Sequence, residues 1–149
     1  MQLTIYTFKE KYSQNMYALL YLRDIDAEKR QQEAAQTDAL TGVFNRKVFE
    51  DRVNVHMKNP DNALKGAIVL MDVDNFKAVN DQYGHLVGDD VLKHMADSLE
   101  ETFASVGLVG RFGGDEFFVF IENDCTRNDI DELMEHFIDL FVHGSDIPI

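Results

Sequence analysis

The chain has 149 residues, of which 45% are hydrophobic and 28% charged, and its 27 acidic and 14 basic side chains give a formal net charge of −13. Nine glycines and two prolines exclude a collagen-like chain, while eleven Phe and five Tyr supply enough apolar area to exclude a wholly disordered one. The acidic balance excludes duplex nucleic acid as an expected partner, and the apolar runs fall far short of the roughly 20 residues that cross a bilayer.

The first 37 residues are predicted to form an appendage to a main domain. Residues 3–8 and 16–22 are rich in β-forming side chains and flank a polar stretch, which predicts a β-hairpin. Residues 25–37 are strong helix formers with almost no apolar stripe, which is typical of an exposed linker helix. The predicted organisation is therefore an N-terminal segment at 1–24, the linker helix, and a domain at 38–149.

Helices and strands alternate along that domain. Apolar residues at helical spacing, and β-rich runs between turn signals, predict its elements. They are a helix at 45–59, a strand at 66–73, a helix at 89–104, strands at 108–112 and 116–122, and a helix at 128–142. This order predicts an α/β (α+β) fold in which helices flank a sheet that contains antiparallel strands.

Two acidic side chains stand at the end of the strand predicted at 66–73. Carboxylates there are costly unless they are paired or bind a metal, and strand ends are where α/β proteins bind ligands. Asp72 and Asp74 lie on the same face if the strand continues through both. Asp72 is therefore a candidate metal ligand, whereas Asp74 is an equally good candidate for capping the helix that follows.

Residues 111–117, with the sequence Arg-Phe-Gly-Gly-Asp-Glu-Phe, predict a tight turn between two strands. The two glycines allow the sharp turn and leave room for a bulky ligand. Asp115 and Glu116 place two carboxylates at the tip, on opposite faces of the strand start. The flanking Phe112 and Phe117 anchor them on rigid strands, as a well-positioned site requires.

These motifs resemble those of the GGDEF-domain diguanylate cyclases. The signature Gly-Gly-Asp-Glu-Phe stands at 113–117, and the usual arginine, Arg111, precedes it. Residues 37–46, Thr-Asp-Ala-Leu-Thr-Gly-Val-Phe-Asn-Arg, are similar to the family's opening block, and residues 72–89 are similar to its central block. The resemblance covers residues 37–121 and implies the family's palm-like sheet flanked by helices.

A shorter resemblance concerns the N-terminal segment. The sequence Arg-Asp-Ile-Asp-Ala-Glu-Lys-Arg at 23–30 resembles the exit of a PAS sensor domain into a signalling helix. On that resemblance, residues 1–24 are the end of a PAS-like domain and residues 25–37 are a signalling linker. The alternative is an accessory hairpin followed by a helix.

The resemblance to the cyclases implies an enzyme that condenses two GTP into cyclic di-GMP and releases two pyrophosphates. Each GTP would occupy one half-site of a homodimer. By position, Asp72, the carbonyl of Val73 and Asp115 are implied to bind Mg²⁺ (or Mn²⁺), with Glu116 a candidate for a second metal. Asp115 and Glu116 are the implied catalytic residues, and Asp115 is the candidate for helping to deprotonate the attacking 3′-hydroxyl.

Asn80 and Asp89 are implied to read the guanine base. A carboxylate accepts from N1–H and N2–H of guanine, a donor pair that adenine lacks, so Asp89 favours GTP over ATP. Without the resemblance, Asp89 is also a candidate N-cap for the helix predicted to follow it. The remaining implied substrate residues are Leu40 against the base, and Lys77 with the backbone amides of Asn75 and Phe76 at the phosphates.

The sequence departs from the family pattern in two places. Family members that are inhibited by their product carry Arg-x-x-Asp before the signature, and the matching positions are Ala104 and Gly107. No product feedback by that route is therefore predicted. The printed sequence ends at Ile149, where the family's next strand begins, so the domain is expected to lack its C-terminal strand and helix and to expose a sheet edge. Activity of this chain by itself is not implied.

Two other functions compete with the enzyme. A non-catalytic module could bind GTP or a cyclic dinucleotide in the same pocket, although the intact acids favour turnover. Residues 1–36 could instead be the functional part, as a dimerising sensor end. In each case the single cysteine, Cys125, predicts a reducing, cytoplasmic location, with no nucleic-acid partner and no membrane contact from this segment.

Overall fold

The structure, a computed structural model, describes residues 2–9, 16–23, 36–61 and 65–144. The chain divides into two compact units, Met1–Ala35 and Gln36–Ile149. Among the helices in the described ranges, none combines the length and apolar character that a bilayer crossing requires.

The described part of the first unit is a two-stranded antiparallel sheet. β1 (Gln2–Lys9) pairs with β2 (Met16–Arg23) along its whole length, which confirms the predicted hairpin strands. Residues 25–35 of the predicted linker helix, with most of the PAS-like motif, lie outside the described residues. Gln36 and Thr37, the last two residues of that predicted helix, lie in a turn and an isolated β-bridge.

The described part of the second unit consists of four helices around a four-stranded sheet, in the chain order β3 (Phe44–Asn45), α1 (Arg46–Lys58), β4 (Ala67–Asp72), α2 (Phe76–Tyr83), α3 (His85–Phe103), β5 (Gly107–Gly113), β6 (Glu116–Ile121) and α4 (Arg127–His143). Across the sheet the strands are ordered β3, β5, β6, β4. β3 is parallel to β5, and the other neighbouring strands are antiparallel. The predicted fold class is confirmed, while the two-residue β3 was not predicted because it is too short to show a periodicity.

α3 begins earlier than predicted. The sequence placed its start near Asp89, whereas the helix begins at His85, directly after Gly84. Gly84 alone separates α2 from α3, with φ 88° and ψ 159°, a backbone region that is essentially restricted to glycine. The prediction was wrong because it followed the apolar spacing from Val91 onward and gave no weight to a one-glycine connection. Asp89 therefore lies inside α3, and its alternative role as an N-cap is excluded.

Side-chain hydrogen bonds fix the start of two other helices. The Asn45 side chain accepts from the backbone N–H of Val48 at 3.1 Å at the start of α1. Thr126 and Asp129 form a reciprocal capping box at the start of α4. These two helices begin and end within one or two residues of their predicted bounds.

The main core lies between the sheet and the pair α3 and α4. Alternate side chains of a strand face opposite sides of its sheet, and Phe117, Val119 and Ile121 of β6 are buried on this side. Burying a large apolar side chain stabilises the folded state by about 1.5–3 kcal/mol. The other core residues include Val91, Met95, Leu99 and Phe103 of α3, Val109 of β5 and Phe137 of α4.

The opposite face of the sheet carries α1 over β5 and β6. Phe49 of α1 meets Phe112 and Phe118 edge-on, with ring centroids 5.5 Å and 6.2 Å apart. Ile68 and Leu70 of β4 point to this same face, since they pair with Phe120 and Phe118 of β6, whose rings contact α1. Ile68 and Leu70 are nevertheless 59% and 62% exposed. In the described part of the chain, β4 pairs with β6 only.

A salt bridge joins the first turn of the second unit to the hairpin between β5 and β6. Arg111 Nη1 lies 2.8 Å from Asp38 Oδ1, while Arg111 Nε and Nη2 donate to the carbonyl oxygen of Gly114 at 3.0 Å and 2.6 Å. Asp38 Oδ1 also accepts from the backbone N–H and the hydroxyl of Thr41, at 3.0 Å and 2.7 Å. The side chains of Arg111 and Asp38 are only 10% and 27% exposed. The guanidinium therefore ties two distant turns together.

The same contacts set the charge state of Asp38. Burial raises the pKa of its carboxyl, but hydrogen bonds from Thr41 and Arg111, with the positive charge of Arg111, outweigh burial and hold the pKa below its ordinary value. A carboxylate of this kind stabilises the fold above its unfolded pKa of about 3.9. That contribution is lost as the pH falls through the lower folded-state pKa.

We expect Asp38→Asn to lower the free energy of unfolding at neutral pH by about 1–3 kcal/mol, because it leaves a buried guanidinium without its counter-charge. The difference from wild type should shrink as the pH falls from about 5 to about 2, because only the wild-type side chain takes up a proton there. Urea unfolding across that pH range measures both effects.

The exposed pair of Arg127 and Asp131 provides a matched control. Their side chains are 92% and 61% exposed and 3.8 Å apart, so Asp131→Asn should change the unfolding free energy by less than about 0.5 kcal/mol. Equal losses in the two variants would contradict the role given to Asp38.

Candidate active site

Three carboxylates meet where β4 ends and β6 begins. The register of these antiparallel strands places Asp72 directly opposite Glu116, and Asp115 lies in the turn immediately before Glu116. Gly113 and Gly114 close that turn at φ 138° and 58°, conformations that residues with a side chain rarely adopt. The structure thus brings together the two acidic motifs that the sequence showed separately.

These acids repel one another. Partial loss of solvent, and then the neighbouring charges of Asp115, Glu116 and Asp74, raise the pKa of Asp72 above its ordinary value. Asp72 and Asp115 are also close enough to share a hydrogen bond when one of them is protonated. Among the described residues, the salt bridges involve other acids. Like charges on facing positions destabilise a sheet. The cluster therefore lowers the stability of the fold unless a bound cation offsets the repulsion, which is typical of a functional site.

An open cavity of about 450 Å³ lies beside the acids and extends to the first turn of α2. A cavity of about 530 Å³ between α1 and β5 has mainly apolar walls and lies away from the acids, so the smaller cavity is the better candidate for chemistry. Six of the ten predicted site residues line the smaller cavity, together with Asp74: Asp72, Val73, Asn75, Phe76, Lys77 and Asp115.

The backbone that leads from β4 into α2 also lines this cavity. Asn75 is the N-cap of α2, with a left-handed backbone (φ 55°, ψ 26°) and no capping hydrogen bond from its side chain. Asp74 is therefore not the cap, and that alternative for it was wrong. The backbone N–H of Phe76 donates to the carbonyl of Val73 at 3.1 Å. Two backbone groups that the resemblance assigns to phosphate and Mg²⁺ are thus bonded to each other, although a carbonyl oxygen keeps a second lone pair.

The other four predicted site residues lie outside the cavity lining. Glu116 is exposed at the start of β6, and Leu40 is half-buried against the main core. Asn80 and Asp89 are half-buried on α2 and α3. Asn80 comes four residues after Phe76, so the two share one side of α2. Of the two predicted base-reading residues, Asn80 therefore lies one helical turn along α2 from Phe76, which lines the cavity.

The donor atoms at the cavity fit a hard divalent cation. Within the described ranges, no group of three or more His, Cys, Asp or Glu side chains is arranged to hold a metal ion by itself. Mg²⁺ does not need such a cage, because one or two carboxylates, water and substrate phosphates commonly complete its shell. Asp72, Asp115 and the carbonyl of Val73 supply oxygen ligands of this kind, which suits Mg²⁺ or Mn²⁺.

No role was predicted for two residues that join the hairpin of the site to the first turn of the second unit. Asp38 lies in the motif at 37–46, whereas Arg111 begins the motif at 111–117. Their contact joins residues that are 73 positions apart in the chain. The opposite charges of Asp38 and Arg111 were the sequence feature that could have suggested a contact. Neither motif contains a local pattern that predicts this contact.

Comparisons with known proteins bear on the same region. A profile of the family described as "Diguanylate cyclase, GGDEF domain" matches residues 35–143. The cyclic di-GMP phosphodiesterase PdeR of Escherichia coli (strain K12) is 39% identical over 104 residues, which are 67% of this chain and 16% of PdeR. The diguanylate cyclase DgcP of Pseudomonas aeruginosa is 38% identical over 93 residues, which are 61% of this chain and 14% of DgcP.

A solved structure shares the fold of the chain. Diguanylate cyclase SiaD of Pseudomonas aeruginosa, in complex with its activator SiaC, matches with a TM-score of 0.67 and 30% identity, over 83% of this chain and 47% of that one. The chain therefore spans less than half of that structure and a much smaller share of the curated relatives. Since the family profile covers well over half of the chain, including every residue that lines the acidic cavity, the chain belongs to the GGDEF-domain family of diguanylate cyclases.

Proposed function

We propose that the second unit is the catalytic part of a diguanylate cyclase, which condenses two GTP into cyclic di-GMP and two pyrophosphates. The observation that carries this proposal is the meeting of Asp72 and Asp115 at a cavity that continues to the N-terminus of α2. Carboxylates suit the metal that accompanies a triphosphate, and a helix N-terminus suits the phosphates themselves. The relatives DgcP and SiaD, both named diguanylate cyclases, support the same reaction.

The phosphates are assigned to the α2 side of the cavity. Lys77 is exposed in the first turn of α2 and lines the cavity, so its ammonium can donate to phosphate oxygens. The amides of Asn75 and Phe76 lie at the positive end of the helix dipole. For the Phe76 amide to reach a phosphate, its bond to the carbonyl of Val73 has to be shared or exchanged.

The reaction joins the 3′-hydroxyl oxygen of one GTP to the α-phosphorus of the other. The bond from that phosphorus to the pyrophosphate oxygen breaks, and the hydroxyl proton leaves. A bound Mg²⁺ would screen the phosphate charge and lower the pKa of the attacking hydroxyl. Asp72 and Asp115, with the Val73 carbonyl, are the residues assigned to hold it, and Glu116 is assigned to a second ion. Asp115 is also assigned to help remove the proton, because it lies in the turn immediately before Glu116 and within hydrogen-bond reach of Asp72.

Base recognition is assigned to Asn80 and Asp89. The Asp89 carboxylate accepts from N1–H and N2–H of guanine, and Leu40 is assigned to pack against the base. Each chain carries one set of these residues in its second unit, while the product needs two new bonds, so the proposal includes a homodimer with one GTP in each half. We place the reaction in the cytoplasm, since the half-buried Cys125 is the chain's single cysteine.

A second candidate is binding of GTP or a cyclic dinucleotide without turnover. The 39% identity to PdeR, which is named a phosphodiesterase, favours it. The retained acids Asp72, Asp115 and Glu116 favour the enzyme.

We expect the full chain, given Mg²⁺ and equal amounts of GTP and ATP, to form cyclic di-GMP as its cyclic dinucleotide product. Asp115→Asn should slow this at least about 100-fold, because it removes a metal ligand and the candidate base. Asp97→Asn, at an exposed position of α3, is the control and should leave the rate unchanged. Mass spectrometry of the products measures the rate, and GTP binding without product would favour the second candidate.

We expect Asp89→Asn to weaken GTP binding about 10–100-fold, because an amide cannot accept from both guanine donors. Inosine triphosphate lacks the 2-amino group, so its binding should fall less. Titration calorimetry with both nucleotides gives the two ratios. The neighbouring Asp90, paired with Lys93 on the exposed side of α3, provides the control variant Asp90→Asn. Equal losses for the two nucleotides would contradict base reading by Asp89.

We also expect cyclic di-GMP at low micromolar concentration to leave the initial rate unchanged. Feedback-inhibited relatives are expected to carry Arg and Asp where this chain has Ala104 and Gly107. A Cβ at Gly107 would overlap the backbone carbonyl of Phe120, so the position has no room for an Asp. Initial rates measured against added cyclic di-GMP test this, and inhibition in that range would show a feedback site elsewhere.

A further inference from the structure

Gly88 is a buried glycine in the first turn of α3. Glycine is less favourable than alanine inside a helix, because it gives up more backbone freedom on folding. Gly88 is not among the glycines with a positive φ, so its backbone conformation does not require glycine. The reason for glycine at this position must therefore lie in what surrounds it.

The space beside Gly88 is filled by the side chain of Asn80. A Cβ built on Gly88 would overlap Oδ1 of Asn80, and it would lie 3.0 Å from Cγ of Asn80 and 3.3 Å from Cζ of Phe76. The single residue Gly84 connects α2 to α3, and this sharp connection brings Asn80 against the first turns of α3. The Asn80 amide thus seats in a gap that exists because residue 88 has no side chain.

We propose that Gly88 is a positioning residue for base recognition, a proposal that rests on the guanine site proposed above. The gap at Gly88 holds the Asn80 amide against α3, next to the residue that carries the second base-reading group, Asp89. Filling the gap would rotate the amide away, because the end of an Asn side chain moves more easily than two packed helices. A methyl group at position 88 should therefore impair nucleotide recognition without unfolding the domain.

The first test uses the full chain without nucleotide. In Gly88→Ala, the side-chain amide resonances of Asn80 should shift in an NMR spectrum, while thermal unfolding stays close to wild type. In Asp97→Ala, an exposed control on α3, those resonances should stay in place. Unshifted Asn80 resonances in Gly88→Ala would overturn the proposal whether or not the chain binds GTP.

The second test is a double-mutant cycle of GTP affinity. Gly88→Ala and Asn80→Ala should each raise the Kd for GTP roughly tenfold, about the effect of one lost hydrogen bond. The double variant should be no weaker than Asn80→Ala alone, because the methyl group then has no amide to displace. Multiplied effects in the double variant, or wild-type affinity in Gly88→Ala, would overturn the proposal.

The two tests separate this inference from the proposed function. If the wild-type chain binds no GTP, the proposed function fails, and shifted Asn80 resonances would then support only the contact between Gly88 and Asn80. The role in base recognition would be overturned with the function. If wild type binds GTP and the cycle shows independent effects, the proposed function stands and the role of Gly88 fails.

Discussion

The register between β4 and β6 determines the geometry of the acidic site. Because Asp72 pairs with Glu116, the turn residue Asp115 has to lie next to Asp72. A shift of the register by one residue would move every side chain of β4 to the other face of the sheet. What prevents that shift is the core, since Phe117 and Val119 of β6 are fully buried against α3 and α4. Apolar packing on one face therefore sets the distance between the charged groups at the strand ends.

The close placement of these acids explains why Arg111 makes additional contacts that stabilise the hairpin. Carboxylates placed side by side repel, and partial loss of solvent together with this repulsion raises the pKa of Asp72. Arg111 does not neutralise them, because its guanidinium is committed to Asp38 and to the carbonyl of Gly114. The arginine thus stabilises the shape of the turn and leaves the acids free to bind a cation. Separate residues supply the rigidity and the chemistry of the same hairpin.

The sequence predicted the strands, the amphipathic helices and the two acidic motifs, because each has a local pattern. The β-rich apolar run at 117–121 and the i+4 spacing from Val91 onward are properties of a few neighbouring residues. The start of α3 was not predicted, since it depends on one glycine at an unusual φ. The contact of Asp38 with Arg111 and the gap at Gly88 were also not predicted. Both join residues that are not neighbours in any periodic pattern, so only the folded chain shows them.

The two helices that carry proposed substrate residues, α2 and α3, differ in how deeply they are buried. α3 contributes buried residues along most of its length, from Gly88 to Phe103. In α2, each of whose residues the structure describes, none is fully buried. α2 nevertheless carries both Lys77, assigned to phosphate, and Asn80, assigned to the base. Elements with few buried contacts open at lower free energy than the core, so α2 is the part of the site that a ligand can order most.

Gly84 connects the less buried α2 to the more deeply buried α3. Phe76 and Val79 of α2 pack against the main core, and the one-residue link keeps Asn80 within reach of the gap at Gly88. A nucleotide that engages Lys77 through its phosphates and Asn80 through its base would contact α2 at two positions about one turn apart. Binding at either position would then favour binding at the other, because the entropy lost in ordering the helix is lost only once. With the proposed roles of Lys77 and Asn80, α2 would couple recognition of the phosphates to recognition of the base.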